Sequence, residues 1–457
     1  MENIRKSKLA VALTAALGLG AFAGSAQAVN VANDGIGELS YIPYYSVTKG
    51  QEEFIKLVNT SARTVAVKIV FRRGTDSREV RDFNIIMSPF DEWVAKVVPS
   101  ANGNAKVVTK DTTCTIPNKD QWTKEADGSY SVDFDNTLFG SNVTVESENV
   151  ITGFKNSLVK EIKEGYVYVA VMGINRPDIT IGTVNSVPYL AKHINGVPRD
   201  CGSIDWGFAN RLDDVASQFT TPESVLRVTS SLVDVKAGSA VEVPVTTFAN
   251  AFNIGANITS SSVEQPDESF VDVESDIFID SSATLATGTL DKGQRALSTT
   301  VMANQVVGTY DTTNSQTSNW IVNFPTKRSL MQLFPAVQPF NDSVVTIAKA
   351  SFDEEEETSV TTTKFSPALT KTVVLPWEVN VVGFSNNNSL VSGLFTDSGQ
   401  GFAKGWMALT FPKAVAVSSV DGKVTYTGMP VIGFELNEGA GIASSQSLSY
   451  TKGILAK

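Results

Sequence analysis

Short runs of alternating apolar residues, each closed by a turn residue, recur along the whole chain and point to β-sheet. In the run from Val65 to Phe71, the side chains of Val65, Val67, Ile69 and Phe71 fall on one side of an extended strand, because successive Cβ atoms point to opposite faces. Thr64, Ala66, Lys68 and Arg72 are then expected to face outward or aside. Val241, Val243 and Val245 repeat the alternation. Tyr166-Val-Tyr-Val-Ala-Val-Met172 reads as a strand buried on both faces. Similar runs begin at Ile277, Trp320, Val344, Val379 and Lys423. Asp127-Gly128 and Asp421-Gly422 are hairpin signals, since glycine tolerates the positive φ that tight hairpin turns require. The chain carries 55 valines in 457 residues, a composition that fits a pleated surface better than a helix. The expected fold class is all-β: antiparallel β-sandwich lobes with few short helices. Two short helices are expected, one opening at Thr221-Pro222-Glu223 and running to Leu226, the other within residues 210–218. No fixed-period repeat is visible, which argues against a propeller or solenoid.

The N-terminus has the parts of a secretory signal. Arg5, Lys6 and Lys8 precede an apolar stretch over residues 9–23, and Ala26-Gln27-Ala28 supplies the small-x-small site, so residues 1–28 are expected to be removed. The whole chain has a formal charge of −11. The leader carries Arg5, Lys6 and Lys8 against Glu2, so its loss leaves the mature chain near −13. Such an acidic body is a poor match for a phosphate backbone. Later apolar runs are of strand length, too short for a helical membrane span. The expected location is exported, extracellular or at the cell surface, with the periplasm as an alternative.

Cys114 and Cys201 are the only cysteines. Both sit in polar, turn-rich stretches, and in an exported chain an even pair reads as a disulfide. Closing so long a loop is worth roughly 4 kcal/mol in the chain-entropy description. Two unpaired thiols are the alternative. Domain boundaries are faint: residues 218–222 and the polar tract 311–319 are the best linker or long-loop candidates. The division adopted is an N-terminal β-rich lobe over residues 29–220 and a C-terminal β-rich lobe over residues 221–457. The alternative is one continuous body in which late strands complete early sheets.

Residues able to carry chemistry are scarce. His193 is the only imidazole, and a catalytic role would require a nucleophile and an orienting partner that the sequence does not announce. A structural histidine is the expectation, and one histidine with two distant cysteines cannot make the usual four-ligand zinc site. Carboxylates are more plentiful: Asp91 and Glu92 before Trp93, Asp133 and Asp135, and Asp272, Glu274 and Asp276 at alternate positions. Two flanking carboxylates are what glycoside hydrolysis needs, while oxygen-rich loops suit a structural calcium ion. No complete calcium-loop pattern occurs, so no cofactor is expected, with a structural calcium ion as the lesser alternative. The five acids 353–357 read as an exposed hairpin tip, with cation binding as the lesser alternative. Trp93, Trp122, Trp206, Trp320, Trp377 and Trp406 are scattered singly, as core or rim packing would have them. Neither a nucleotide-binding glycine loop nor a nucleophile elbow is present.

Several phrases resemble a family of exported bacterial cell-surface β-rich proteins of uncharacterised function. They are Ile42-Pro-Tyr-Tyr45, Leu57-Val-Asn-Thr-Ser61 with Ala66-Val-Lys-Ile-Val-Phe71, Arg78-Glu-Val-Arg-Asp-Phe-Asn84, and Met87-Ser-Pro-Phe-Asp-Glu-Trp93. Glu164-Gly-Tyr-Val-Tyr168, His193 with residues 195–201, Trp320-Ile-Val-Asn-Phe-Pro-Thr-Lys-Arg328 and Met429-Pro-Val-Ile-Gly-Phe434 continue the series. The resemblance implies an exported β-rich protein and a shared Cys114–Cys201 frame, and it brings no catalytic residues. The stretch at Glu164 departs from it in having fewer acids after Tyr166.

The function these readings favour is that of a non-enzymatic, exported structural or adhesion protein of the cell surface. It would self-assemble through strand pairing, with residues 29–45 as a donor strand, and its partners would be itself, other surface components or glycans. The alternatives are an extracellular carbohydrate-binding protein or carboxylate-dependent glycosidase, and a periplasmic carrier with a deep pocket between lobes.

Overall fold

The computed structural model describes residues 29–75, 77, 79–134, 162–252, 297–327, 345–353, 371–384, 394–399, 402–411, 415–418, 424–439, 442–451 and 453–456. The protein is all-β, built almost wholly from antiparallel sheets with a few short helices. The acids at 272, 274 and 276, Asp135, residues 354–357 and the runs at Ile277 and Asp421 lie outside the described residues.

Two large sheets form from residues 30–249. The first has the spatial order Asn30–Val31, Thr246–Ala249, Leu39–Ser46, Glu164–Asn175, Val65–Arg73, Glu79–Met87, Cys114–Ile116. The second runs Thr123–Lys124, Tyr130–Asp133, Ala105–Thr109, Glu92–Pro99, Gln51–Asn59, Leu226–Asp234, Ser239–Val243. Strands on either side of position 220 therefore share both sheets, and Phe219–Thr220 itself pairs with Ile174 and Asn175. From Met302 onward the chain builds further sheets of its own.

The second sheet has one wet face. Along Gln51–Asn59 the buried residues Glu53, Ile55 and Leu57 alternate with more exposed ones, the signature of a sheet packed on one side. Its inner face meets the first sheet through Phe83, whose ring lies 5.9 Å from Trp93 and 5.0 Å from Trp122. The first sheet is covered on both faces. Every residue of Glu164–Asn175 is buried, as the uninterrupted Tyr166–Met172 run anticipates, and so is every residue of Val65–Arg73. Lys68 and Arg72, expected to point outward, are only 1% and 6% exposed. The alternation is present; what it does not disclose is a further layer. Strands Thr317–Asn323 and Ile432–Gly439 pack over Leu39–Ser46, with Asn323 Nδ2 donating to the Pro43 carbonyl at 2.9 Å. Val379 N donates to the Gly74 carbonyl at 2.8 Å. Buried apolar side chains from both halves form one contiguous core.

Two other expectations are corrected. Residues 221–226 form no helix, because Leu226 opens a nine-residue strand that pairs with Gln51–Asn59 and outweighs the local Thr-Pro-Glu signal. The tract 311–319 is a tight corner, with a single turn at Thr313–Ser315 joining strand Gln305–Asp311 to strand Thr317–Asn323. Segment 29–45 is paired within the chain: Asn30–Val31 with residues 248 and 249, and Leu39–Ser46 inside the first sheet, paired on both sides. The helix expected within residues 210–218 is present as Leu212–Ala216.

Candidate functional site

Two places gather the side chains that chemistry or recognition would use. The first surrounds His193. Helices Val187–Ala191, Cys201–Asn210 and Leu212–Ala216 form a small cap, and the longest starts where Asp200 Oδ1 accepts from Ser203 N at 2.9 Å, an N-cap that satisfies an otherwise orphaned donor. The Cys114–Cys201 disulfide, with an S–S distance of 2.02 Å and a separation of 87 residues, ties this cap to the edge of the first sheet.

Beside that bridge His193 Nδ1 lies 3.1 Å from Ser88 Oγ and 3.8 Å from Asp91 Oδ2. Serine, histidine and aspartate thus meet, which the sequence alone did not join. Their arrangement is not a relay. A catalytic imidazole bridges hydroxyl and carboxylate through its two different nitrogens, whereas here both partners face Nδ1. Asp91 Oδ2 also accepts from Ser88 N at 3.0 Å and from Thr113 Oγ1 at 3.2 Å. Burial pushes the Asp91 carboxyl up, opposed by His193 and by the Ser88 amide. Lys119 closes the corner by donating to the carbonyls of Thr113, at 2.6 Å, and Asp111. Burial lowers its pKa to about 8, against the pull of Asp111 and Asp91. Glu92, next to Asp91, turns the other way and pairs with Lys56 at the surface at 3.1 Å. Asp91 lies just before the strand Glu92–Pro99, and its contacts with Ser88 and Thr113 are separate from the Glu92–Lys56 pair, so these two carboxylates do not flank a common substrate. Asp133 is exposed and accepts from Ser100 Oγ.

The second place lies in the C-terminal half. Strand Gln305–Asp311 pairs with Lys404–Thr410 in a register that sets Thr309 opposite Trp406 and Asp311 opposite Lys404. By the two-residue period these four share a face. Gln316, Asn437 and Ser444, from the neighbouring sheet and its corner, complete the rim of a cavity of about 410 Å³. Trp406 is 38% exposed, and its indole stacks on Phe352 at 4.3 Å and 16°, held by direct cross-strand pairing of the two residues. Trp93, Trp122, Trp320 and Trp377 are buried. The floor is rigid: Trp320 Nε1 donates to the Thr309 carbonyl at 2.9 Å, and Glu435 accepts from Thr309 N and Oγ1 at 2.9 and 2.8 Å. A Cβ at Gly308 would stand 2.7 Å from Trp320 Cζ2, so the indole needs the glycine.

Asp311 accepts from Thr313 N at 2.8 Å and Oγ1 at 2.6 Å, with Lys404 Nζ 3.9 Å away. Partial burial raises its pKa, but the Thr313 bonds and the Lys404 charge outweigh that and leave it below the ordinary value. The pocket wall thus carries a fixed anion, an ammonium, two side-chain amides and an aromatic face. In the sequence Trp406 is one scattered tryptophan and Asp311 merely opens the polar tract 311–319; only the strand register joins them.

Among the described residues no group of three or more His, Cys, Asp or Glu side chains is placed to hold a metal ion, and no helix is long and apolar enough to cross a membrane. Comparisons with family models, curated proteins and solved structures give no match.

Proposed function

We propose that this is an exported structural or adhesion protein of the cell surface that works by binding, and that it takes saccharide at the Trp406 pocket. The observation that carries the reading is the cavity itself. An exposed indole stiffened by Phe352 offers a flat apolar platform, while Asp311, Gln316, Asn437 and Ser444 surround it with hydrogen-bonding groups. Sugars present that same pairing of an apolar ring face with a rim of hydroxyls, and few precisely placed polar groups fix orientation in such sites. Binding is favoured over hydrolysis because Asp311 is the carboxylate of the lining and is held ionised, whereas glycosidases need a second carboxyl kept protonated as acid. The Cys114–Cys201 bridge is compatible with an oxidising location.

The mature chain on a glycan array is expected to bind a restricted set of glycans. Trp406→Ala should weaken that binding by about tenfold or more, as for a central aromatic contact, while Trp206→Ala should leave it unchanged. Trp206 is also exposed, but sits on the helical cap over the Arg211 guanidinium. Silence of the wild-type chain across glycans would remove the saccharide reading.

Self-assembly by strand pairing is the second reading. It rests on the sheet edge at Lys371–Leu375, which has no further strand beside it among the described residues. Val374 on that edge is 42% exposed, and an open apolar edge is a template for another chain. Electron microscopy of the outermost cell fraction tests it: ordered polymers support it, and a uniformly monomeric protein rejects it.

A further inference from the structure

Lys68 and Asp82 occupy neighbouring strands, Val65–Arg73 and Glu79–Met87, in a register that pairs Lys68 with Asn84 and Val70 with Asp82. They are diagonal neighbours on one face of the first sheet. Lys68 Nζ lies 2.7 Å from Asp82 Oδ2, with the two side chains 1% and 5% exposed. Arg72 stands opposite Glu79 on the same face, and Glu79 is 2% exposed. The Arg72 guanidinium donates to the Ser77 carbonyl at 2.7 Å and lies 5.2 Å from the Tyr168 ring, while Tyr166 hydroxyl donates to Ser77 Oγ at 2.9 Å. An ammonium, a carboxylate and a second carboxyl are thus enclosed together in the dry interior of an exported β-protein.

We propose that Lys68 and Asp82 condense into an intramolecular isopeptide bond, with Glu79 as the carboxyl that moves the protons. Three physical facts support the chemistry. A buried ion pair is costly, since the desolvation of both charges is seldom fully repaid, and condensation replaces two charges by one neutral amide. The reacting groups are already in contact, which supplies the proximity that a bimolecular amidation lacks. Glu79 is available as an acid: burial first, and the adjacent Asp82 charge second, push its pKa up to about 8, against the pull of Arg72 and Lys68.

The step balances without any outside reagent. The Lys68 ammonium gives its proton to the Asp82 carboxylate, leaving an amine and a carboxylic acid. The amine lone pair attacks Asp82 Cγ, and Glu79 donates its proton to the departing hydroxyl, which leaves as water. The proton released by the new amide nitrogen restores Glu79. One ammonium and one carboxylate become one amide and one water. The bond would staple the hairpin that carries Val65–Arg73, the central partner of Glu164–Asn175.

Mass spectrometry of the purified, exported full-length protein decides the matter. After reduction of the disulfide, the intact mass is expected to fall short of the sequence of the mature chain by one water. Proteolysis should then release a branched peptide joining the segments that contain Lys68 and Asp82. Glu79→Gln and Asp82→Ala are each expected to abolish both signatures. Recovery of linear peptides with a Lys68 amine that acetylates in denaturant would overturn the proposal on the wild-type chain alone, whatever the variants do. A deficit of one ammonia with a branch at Asn84 would also overturn it. Asn84 faces Lys68 directly, and neither of its side-chain amide atoms has a hydrogen-bond partner among the described residues.

Discussion

The His193 corner and the Trp406 pocket use polar side chains in opposite ways. At the corner, serine, histidine, aspartate and lysine are turned toward one another and toward backbone groups, and a disulfide holds the pieces together. At the pocket, ordinary residues such as Gln316, Asn437 and Ser444 line a cavity that faces solvent. The residues with the stronger chemical reputation serve as internal fastening. The bland ones line the cavity for which a ligand is proposed. What distinguishes the two is where the polar atoms point and how many partners they already have, which residue identity alone does not convey.

Opening the fastening should have the largest effect. Replacing both Cys114 and Cys201 by serine is expected to cost about 4 kcal/mol of stability, read from denaturant unfolding, because the bridge closes a loop of 87 residues. If the corner and the pocket are as separate as their elements indicate, the folded fraction should bind saccharide at the pocket with unchanged affinity. A parallel loss of affinity would break the distinction between scaffold and site.

Acidity should separate the buried scaffold, away from the His193 corner, from the pocket by sign. Burial raises Glu53, opposed by Ser230, to about 8, and raises Glu38 to about 7 against hydrogen bonds from the Phe252 and Ala251 amides. Both folded-state values lie above the unfolded value of 4.5, so the folded chain binds more protons in between. Stability is then greatest at the acid end of that window and falls as pH rises from about 5 toward 8, by a few kcal/mol in total. Thermal melts across this range check the slope, and Glu53→Gln should flatten it. Asp311 has the opposite sign. Its pKa lies below the ordinary value, so what its charge contributes to the pocket is present at neutral pH and fades as the solution becomes strongly acid. A binding profile that weakened on going from pH 5 to 8 in step with stability would show that the pocket merely follows the scaffold.

Much of the scaffold was legible because strands announce themselves locally. The Val65–Phe71 alternation and the Tyr166–Met172 run mark both central strands of the first sheet, and the two cysteines mark their bridge. Lys68 and Arg72 were misplaced because a two-residue period says which residues share a face, not whether another layer covers it. The helix at Cys201–Asn210 went unread because Gly202 and Gly207 sit inside it and glycine is a poor helix former; its signal is the Asp200 cap with Ser203 three residues on. The pocket was illegible for a different reason. Its walls come from four separated stretches, around 309–316, 404–406, 437 and 444, and only long-range register brings them together.

The smallest expected effect is also the one that bears most directly on the corner. His193 contributes a hydrogen bond to Ser88 and a longer contact with Asp91, and its side chain is 24% exposed. Removing one partly exposed hydrogen bond costs about 1 kcal/mol, so His193→Gln should shift unfolding slightly and leave glycan binding untouched. Asp91→Ala should cost more, because it strands the Ser88 amide and the Thr113 hydroxyl as well as the imidazole. The order of the two variants carries the argument: fastening depends on how many groups a residue satisfies, whereas catalysis would depend on the imidazole before all else. If His193→Gln instead left stability intact and removed a measurable hydrolytic activity, the corner would be a reaction centre, and the contrast with the pocket would have to be drawn the other way round.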